Sequence, residues 1–279
     1  MVDSKPSRTS LVANPTYNVI ILSGCLTASI LTALAAYNKY LRQYKTALEI
    51  PKQVFHKRWL YGKVTAVGDG DNFRFFHTPG GVLGGWGLIR AVPALLENDT
   101  TIPKTVRKST SKMWSLPFSF SNRRKMTEKK ISKHYMDLKV PYKGKRSLPT
   151  LSVRLCGIDA PERAHFGNAA QPFGDEALNF LRYLILGKRV WIKPLAVDQY
   201  NRCVARVVYW SWLRGWKDVS LEMLREGMAV VYEGKSTAEF DGREKRYRLY
   251  EFISKSKRKG LWIQKKFVTP GQYKNQLKS

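Results

Sequence analysis

Three short runs of the sequence gather residues that can act on a phosphate ester. They are Val67-Gly68-Asp69-Gly70-Asp71, Arg154-Leu155-Cys156-Gly157-Ile158-Asp159-Ala160-Pro161-Glu162, and Asp198-Gln199-Tyr200-Asn201-Arg202. Attack on a phosphodiester adds negative charge to a five-coordinate phosphorus, so a catalyst needs cations aimed at its oxygens and a group that activates water. Arginine suits the first task, because its planar fork meets two phosphate oxygens and keeps its charge. A carboxylate suits the second, and carboxylates also ligate hard cations such as calcium or magnesium. Each run alone has a plainer reading. Asp-Gly-Asp is commonly a hairpin turn, Asp-Ala-Pro-Glu a turn before a helix, and an arginine on a strand part of a solvated face.

The segments that must position these runs alternate between strand and helix patterns. Residues 58–67 and 73–77 are rich in β-formers and flank Gly68-Asp69-Gly70-Asp71, which predicts a hairpin. Leu151, Val153 and Leu155 alternate with Ser152 and Arg154, so a strand there buries one face and presents Arg154 on the other. Residues 172–187 read as a helix: Pro172 and Asp175-Glu176 open it, Phe173, Ala177, Phe180, Leu181 and Leu184 form a stripe, and Gly187 stops it. Strands follow at 189–197 and 206–210, then a short helix near 220–226, an extended segment at 228–232 and a basic helix at 244–257. GGVLGGWG (80–87) lacks the Lys-Ser/Thr ending of a phosphate loop and reads as an ordinary loop. This order predicts a small α+β domain on an antiparallel barrel.

Composition narrows the partner. Of the 279 residues, 49 are Lys or Arg against 21 acidic, a net charge of +28, which favours a polyanion such as nucleic acid or an acidic lipid surface. Residues 100–150 hold 14 basic side chains against 2 acidic, and residues 243–279 hold 12 against 2, so the excess sits in added segments. Residues 98–150 show little periodicity and are expected to be a basic insertion, largely disordered, that captures substrate without joining the chemistry. Cys25, Cys156 and Cys203 give no disulfide framework or zinc spacing, and Cys156 and Cys203 read as small core residues. The histidines match no metal-ligand spacing; His165, near Glu162, is read as a surface histidine with a base as the alternative.

Residues 1–17 are polar and read as a flexible terminus. Val19 to Tyr37 carries no charge and as a helix would span roughly 28 Å, close to a ~30 Å hydrocarbon core. It is expected to be a transmembrane helix (18–37), followed by a linker (38–54). A cleaved signal peptide ending at Ala33-Leu34-Ala35 is the alternative, although its apolar core would be unusually long. The basic residues after the span mildly favour the bulk of the chain on a cytosolic or matrix side.

The three runs resemble the active-site motifs of staphylococcal-nuclease-like domains: a D-G-D turn, an R-x-x-x-x-D-x-P-E segment and a D-x-Y-G/N-R segment. Order and approximate spacing agree from about residue 55 to 263, with the insertion as the departure. The resemblance implies an OB-fold-type five-stranded antiparallel β-barrel with about three helices, a basic tail at 264–279, and calcium as cofactor. It assigns Arg154 and Arg202 to the phosphate, Glu162 to the attacking water, Asp71 and Asp159 to calcium, and Asp69 to a place just outside the metal's ligands. Where the family commonly has threonine, this chain has Ala160; that ligand is usually a backbone carbonyl, so the set is little affected. With its span and insertion, the whole chain resembles the fungal membrane-anchored mitochondrial endonucleases of the long-chronological-lifespan family. That likeness implies a nuclease acting on DNA and/or RNA and leaving 3′-phosphate ends, and it is the sole ground for a mitochondrial location. Two alternatives stay open: a non-catalytic nucleic-acid-binding module of the same fold, and a membrane-surface protein whose basic segments hold anionic lipid.

Overall fold

The computed structural model describes residues 15–97, 127–145, 147–164, 169–233, 239–265 and 267–276. The chain divides into two compact units, residues 1–42 and 43–279. In the first, helix α1 (Pro15–Ala36) runs on through a π-helical turn at Tyr37–Leu41. Its apolar side chains face outward, and residues 17–41 have a mean hydropathy of 2.2, so length and composition suit a membrane crossing. The hydroxyls of Ser23, Thr27, Ser29 and Thr32 donate to carbonyls three or four residues earlier, leaving no hydroxyl donor of these four to need water.

The second unit begins earlier than the expected linker allows. Tyr44, Ala47, Ile50 and Val54 are buried, so residues 43–54 belong to the domain rather than joining it to the span. Their apolar spacing is too irregular for a strand or long helix to be read from sequence, and it forms two 3₁₀ turns.

The core is a barrel of five strands: β1 (Leu60–Asp69), β2 (Asn72–His77), β3 (Leu151–Leu155), β4 (Arg189–Val197) and β5 (Cys203–Ser211). Their order is β3-β2-β1-β4-β5, and β3 also pairs with β5, which closes the sheet. The pairings are antiparallel except this last one, which is parallel. A sixth strand, β6 (Gly215–Asp218), extends β5 as a hairpin. At four residues it is too short for alternation to announce it. Val64, Phe75, Leu151, Val153, Val190, Ile192, Ala205 and Val207 fill the interior and are essentially inaccessible, as closing a barrel demands of alternate positions.

Within residues 98–150, expected to be a largely disordered basic insertion, Glu128–Met136 forms helix α2. Residues 98–126 and Arg146 lie outside the described residues. α2 packs on α3 (Gly174–Ile185) through buried Ile131 and Tyr135, and Asn179 donates to the carbonyls of Tyr135 and Leu138 at 2.7 and 3.0 Å. Two apolar residues four apart in a lysine-rich stretch make too weak a period to predict it. In α3 the expected stripe is buried in full, from Phe173 to Leu184. Helices α4 (Val219–Arg225) and α5 (Glu244–Ser256) follow, and the expected basic tail forms a further helix, α6 (Pro270–Gln276). Cys156 and Cys203 are buried, and burial pushes both thiols up to about 12, so both are core residues without thiolate character at neutral pH.

Candidate active site

The turn from β1 to β2 is Asp69-Gly70-Asp71, and Gly70 is there for space. A Cβ on it would lie 2.6 Å from the Cβ of Ala160, so its absence lets the first run nest against the second. Asp69 Oδ1 accepts from the Gly70 N–H at 2.9 Å. Asp71, 5% exposed, accepts from Asn72 Nδ2 at 2.8 Å, and its carbonyl accepts from the Leu155 N–H at 2.9 Å.

Strand β3 brings Arg154 opposite Asn72 on one side and Val204 on the other. Its Nη2 lies 3.1 Å from Asp71 Oδ2 and 2.9 Å from Asp159 Oδ1, with the Tyr232 ring 5.5 Å from the guanidinium carbon. Asp159 is held by a two-residue ladder in which Ile158–Asp159 pairs with Val230–Val231. Arg202 immediately precedes Cys203, the partner of Val153, so it sits at the entrance to β5 as a diagonal neighbour of Arg154, with backbones roughly 7–8 Å apart. A carboxylate clamps the second arginine as well. Asp198 Oδ2 lies 2.6 Å from Arg202 Nε, and Asp198 Oδ1 accepts the N–H groups of Tyr200 and Arg202 at 2.9 and 2.8 Å. The turn passes through Asn201 at φ 56°, a left-handed conformation that asparagine tolerates better than most residues.

Glu162 is partly exposed, and its backbone is fixed on both sides. Its N–H donates to Gln171 Oε1 at 2.8 Å, and its carbonyl accepts the Gln171 N–H at 2.8 Å. Gln171 is itself buried and donates from Nε2 to the Val268 carbonyl at 3.2 Å, so the C-terminal tail helps to lock this clamp. His165 lies outside the described residues.

The electrostatics follow from crowding carboxylates at low exposure. Burial, and next the charge of Asp71, push Asp69 up to about 6, with Glu162 adding to the effect. Burial works against the charge of Arg154, but Asp71 and Asp159 more than offset it, and its pKa is raised. Arg154 thus enters the site fully charged and already aimed.

Do these residues fit a calcium ion? Asp71 and Asp159 present oxygens to one guanidinium nitrogen, so those oxygens are no more than about 6 Å apart. Two oxygens on opposite sides of a calcium ion span roughly 5 Å. Both carboxylates are nearly buried and acceptor-only, as a hard cation requires. Among the described residues no group of three or more His, Cys, Asp or Glu forms a metal cage. The remaining oxygens would come from backbone carbonyls and water, and with that completion the residues fit.

All six residues expected at the site fall within this region: Asp69, Asp71, Arg154, Asp159, Glu162 and Arg202. Sequence reasoning assigned no role to three others. Asp198 clamps Arg202 and could have been found from its place four residues earlier in the third run. Gln171, which fixes Glu162, and Tyr232, beneath Arg154, carry no signal in the sequence: their roles exist only through the fold.

The family model described as "Staphylococcal nuclease homologue" matches residues 152–264, a stretch that includes Arg154, Asp159, Glu162 and Arg202 but not the Asp69–Asp71 turn. Over almost its whole length the chain is similar to proteins named "Probable endonuclease LCL3". It is 57% identical over 263 residues to that of Saccharomyces cerevisiae (strain ATCC 204508 / S288c), covering 93% of this chain and 96% of the relative. Against the Kluyveromyces lactis protein it is 58% identical over 260 residues, covering 92% of each. Against that of Zygosaccharomyces rouxii it is 55% identical over 261 residues, covering 94% of each.

Proposed function

The chain belongs to the fungal endonuclease family of the staphylococcal-nuclease type, and from that membership we propose a calcium-dependent, membrane-tethered endonuclease that cuts DNA and/or RNA and leaves 3′-phosphate ends. As a member of that family it is a phosphodiester hydrolase. The observation that carries the finer reading is the pair of carboxylate-clamped arginines, on β3 and at the entrance to β5, beside two nearly buried aspartates. A module that only binds nucleic acid has no use for buried carboxylates, which repel phosphate.

In this reading Arg154 and Arg202 hold the scissile phosphate and neutralise the charge that grows on its equatorial oxygens. Glu162 takes a proton from water as the water oxygen bonds to phosphorus. The bond from phosphorus to the 5′-oxygen breaks, that oxygen leaves with a proton as a hydroxyl, and the phosphate stays on the 3′ side. Asp71 and Asp159 would hold calcium, which when bound supplies a further positive charge for the phosphate oxygens. Asp69, just behind, adds negative potential without needing to ligate. The apolar helix α1 supports anchoring by a single span, and family likeness supports a mitochondrial membrane.

The test is cleavage of plasmid DNA and of RNA by the full chain with calcium, magnesium or EGTA. Calcium is expected to be required, with magnesium a poor substitute, and the products to resist polymerase extension until treated with phosphatase. Full cleavage in excess EGTA would remove calcium from the reading. Binding without cleavage under every condition would leave the non-catalytic module.

A further inference from the structure

The loop after β2 is built to display apolar side chains. Leu83 is 100% exposed, Ile89 92%, Leu88 77% and Val82 53%. A disordered loop could show such values by default, but this one is internally bonded. The N–H groups of Gly84, Gly85 and Trp86 donate to the carbonyls of Gly80, Val82 and Gly81 at 2.9–3.1 Å, and that of Arg90 donates to Gly85 at 2.8 Å. Trp86 is buried, donates from Nε1 to the Pro79 carbonyl at 3.1 Å, and carries the Arg90 guanidinium 4.0 Å above its ring. The glycines are what make this folding possible: Gly85 sits at φ +81°, and a Cβ on Gly84 would meet the Pro79 carbonyl oxygen at 2.3 Å. The fold thus turns its one large aromatic inward and leaves four aliphatic side chains outside, the reverse of ordinary sorting.

What covers them is indicated by where the chain enters the domain. Gln43 Nε2 donates to the His77 carbonyl at 2.9 Å, and the Tyr44 N–H donates to His77 Nδ1 at 3.1 Å, with the two rings stacked. His77 ends β2, and the loop begins two residues later at Pro79. The apolar span ends at Leu41, so the covalent chain allows no more than about 7 Å to Gln43. The exposed apolar loop therefore starts beside Gln43 and Tyr44, the first residues of the second unit, which follow the membrane-length helix in sequence. Lys45, Arg58 and Arg90 supply positive charge around the same strand end, which suits an acidic headgroup layer.

We propose that loop 79–90 docks into the headgroup–acyl boundary of the bilayer, with Val82, Leu83, Leu88 and Ile89 inserted, as a second contact that fixes the domain against the membrane. This rests on the reading of α1 as an anchor, and it adds a contact that a tether alone does not need. A side chain so placed reports lipid rather than water, which makes the proposal measurable without any activity assay.

The test uses the full chain with Cys25→Ser in liposomes of phosphatidylcholine and phosphatidylserine, since Cys156 and Cys203 are buried. An environment-sensitive fluorophore is placed by Leu83→Cys or, as control, by Lys245→Cys on exposed α5, and nitroxide-bearing lipids serve as quenchers. The Leu83 label is expected to shift to the blue and to be quenched at least twofold more than the Lys245 label. In a Leu83→Asp/Ile89→Asp background, a label placed by Leu88→Cys should fall to the control level while the protein still floats with the vesicles. Flotation with equal quenching at both labels would overturn the docking and leave the anchor standing. A blue shift that depends on protein-to-lipid ratio, without lipid quenching, would mean a second copy of this chain covers the loop and would likewise overturn it. Loss of flotation altogether would remove the anchor reading and the docking with it.

Discussion

Strand β2 is six residues long, and its two ends meet opposite chemistry. At its start, Asp71 is nearly buried beside Arg154 and Asp159, with Asp69 close behind. At its end, beyond His77, loop 79–90 holds leucine and isoleucine out in solvent. Both ends invert the usual sorting, and both are rigidly built, one by ion pairs and the other by backbone hydrogen bonds and the Trp86–Arg90 stack. The difference teaches what each end is short of. Buried carboxylates need cations: Arg154 already meets Asp71 and Asp159, and the proposed calcium would add a second positive charge beside them. Exposed aliphatics lack cover, so their partner is apolar.

The largest effect should come from the chemistry at the first end. Glu162→Gln is expected to lower turnover by several orders of magnitude while folding and substrate affinity stay near wild type, because the lost function exists only in the reacting state. Near-normal cleavage by a folded Glu162→Gln protein would take Glu162 out of the reaction and weaken the assignment of this end.

Next is the cost of unpairing the carboxylates. Arg154→Met should lose activity and, in chelator, about 3–5 kcal/mol of folding stability, since Asp71 and Asp159 would remain buried without their cation. Adding Asp71→Asn to that variant should restore part of it. Thermal unfolding with and without EGTA measures both, and an unaltered midpoint in chelator would show that the ion pairs are not what holds this end together.

A smaller effect is expected at the other end. Burial, and after it the charges of Arg58 and Arg90, push His77 down to about 3, so it folds as the neutral acceptor for Tyr44. Its folded pKa lies below its unfolded value near 6.5. Protons therefore bind the unfolded chain first, and stability is lost as pH falls from about 6.5 toward 3. The linkage slope gives about 2 kcal/mol between about pH 6.5 and 5. His77→Asn keeps an acceptor without that titration and should flatten the loss, as read from unfolding midpoints in detergent across that pH range. Parallel pH curves for the two proteins would mean His77 is not what couples residues 43–44 to β2.

The smallest effect on chemistry should follow from replacing residues 100–126 with a short Gly/Ser linker, which spares α2. The segment holds seven basic residues and no acidic ones. Binding at low salt should weaken and its salt slope flatten by several units, at about 0.9 for each phosphate no longer neutralised. Single-turnover cleavage at saturating substrate should stay within about threefold. A collapsed rate in a folded protein would mean that the catalytic end of β2 is not complete without the insertion.

Much of this was legible in the residues themselves. Alternation fixed β3 and the outward face of Arg154, and the apolar stripe fixed α3, because periodicity is a local property; the three motif runs supplied the candidate site residues. An uncharged run fixed the membrane-length helix for the same reason. What the sequence could not supply is long-range. The parallel β3–β5 seam that sets Arg154 beside Arg202 joins residues some fifty apart. The Gln171 and Val268 clamp on Glu162, the Tyr232 ring beneath Arg154 and the packing of α2 on α3 likewise join distant segments, and no local pattern encodes such pairings. Loop 79–90 makes the same point from the other side. Its glycines marked a loop, but only the fold decided that Trp86 would turn inward and the leucines outward, because burial is settled by what the rest of the chain leaves room for.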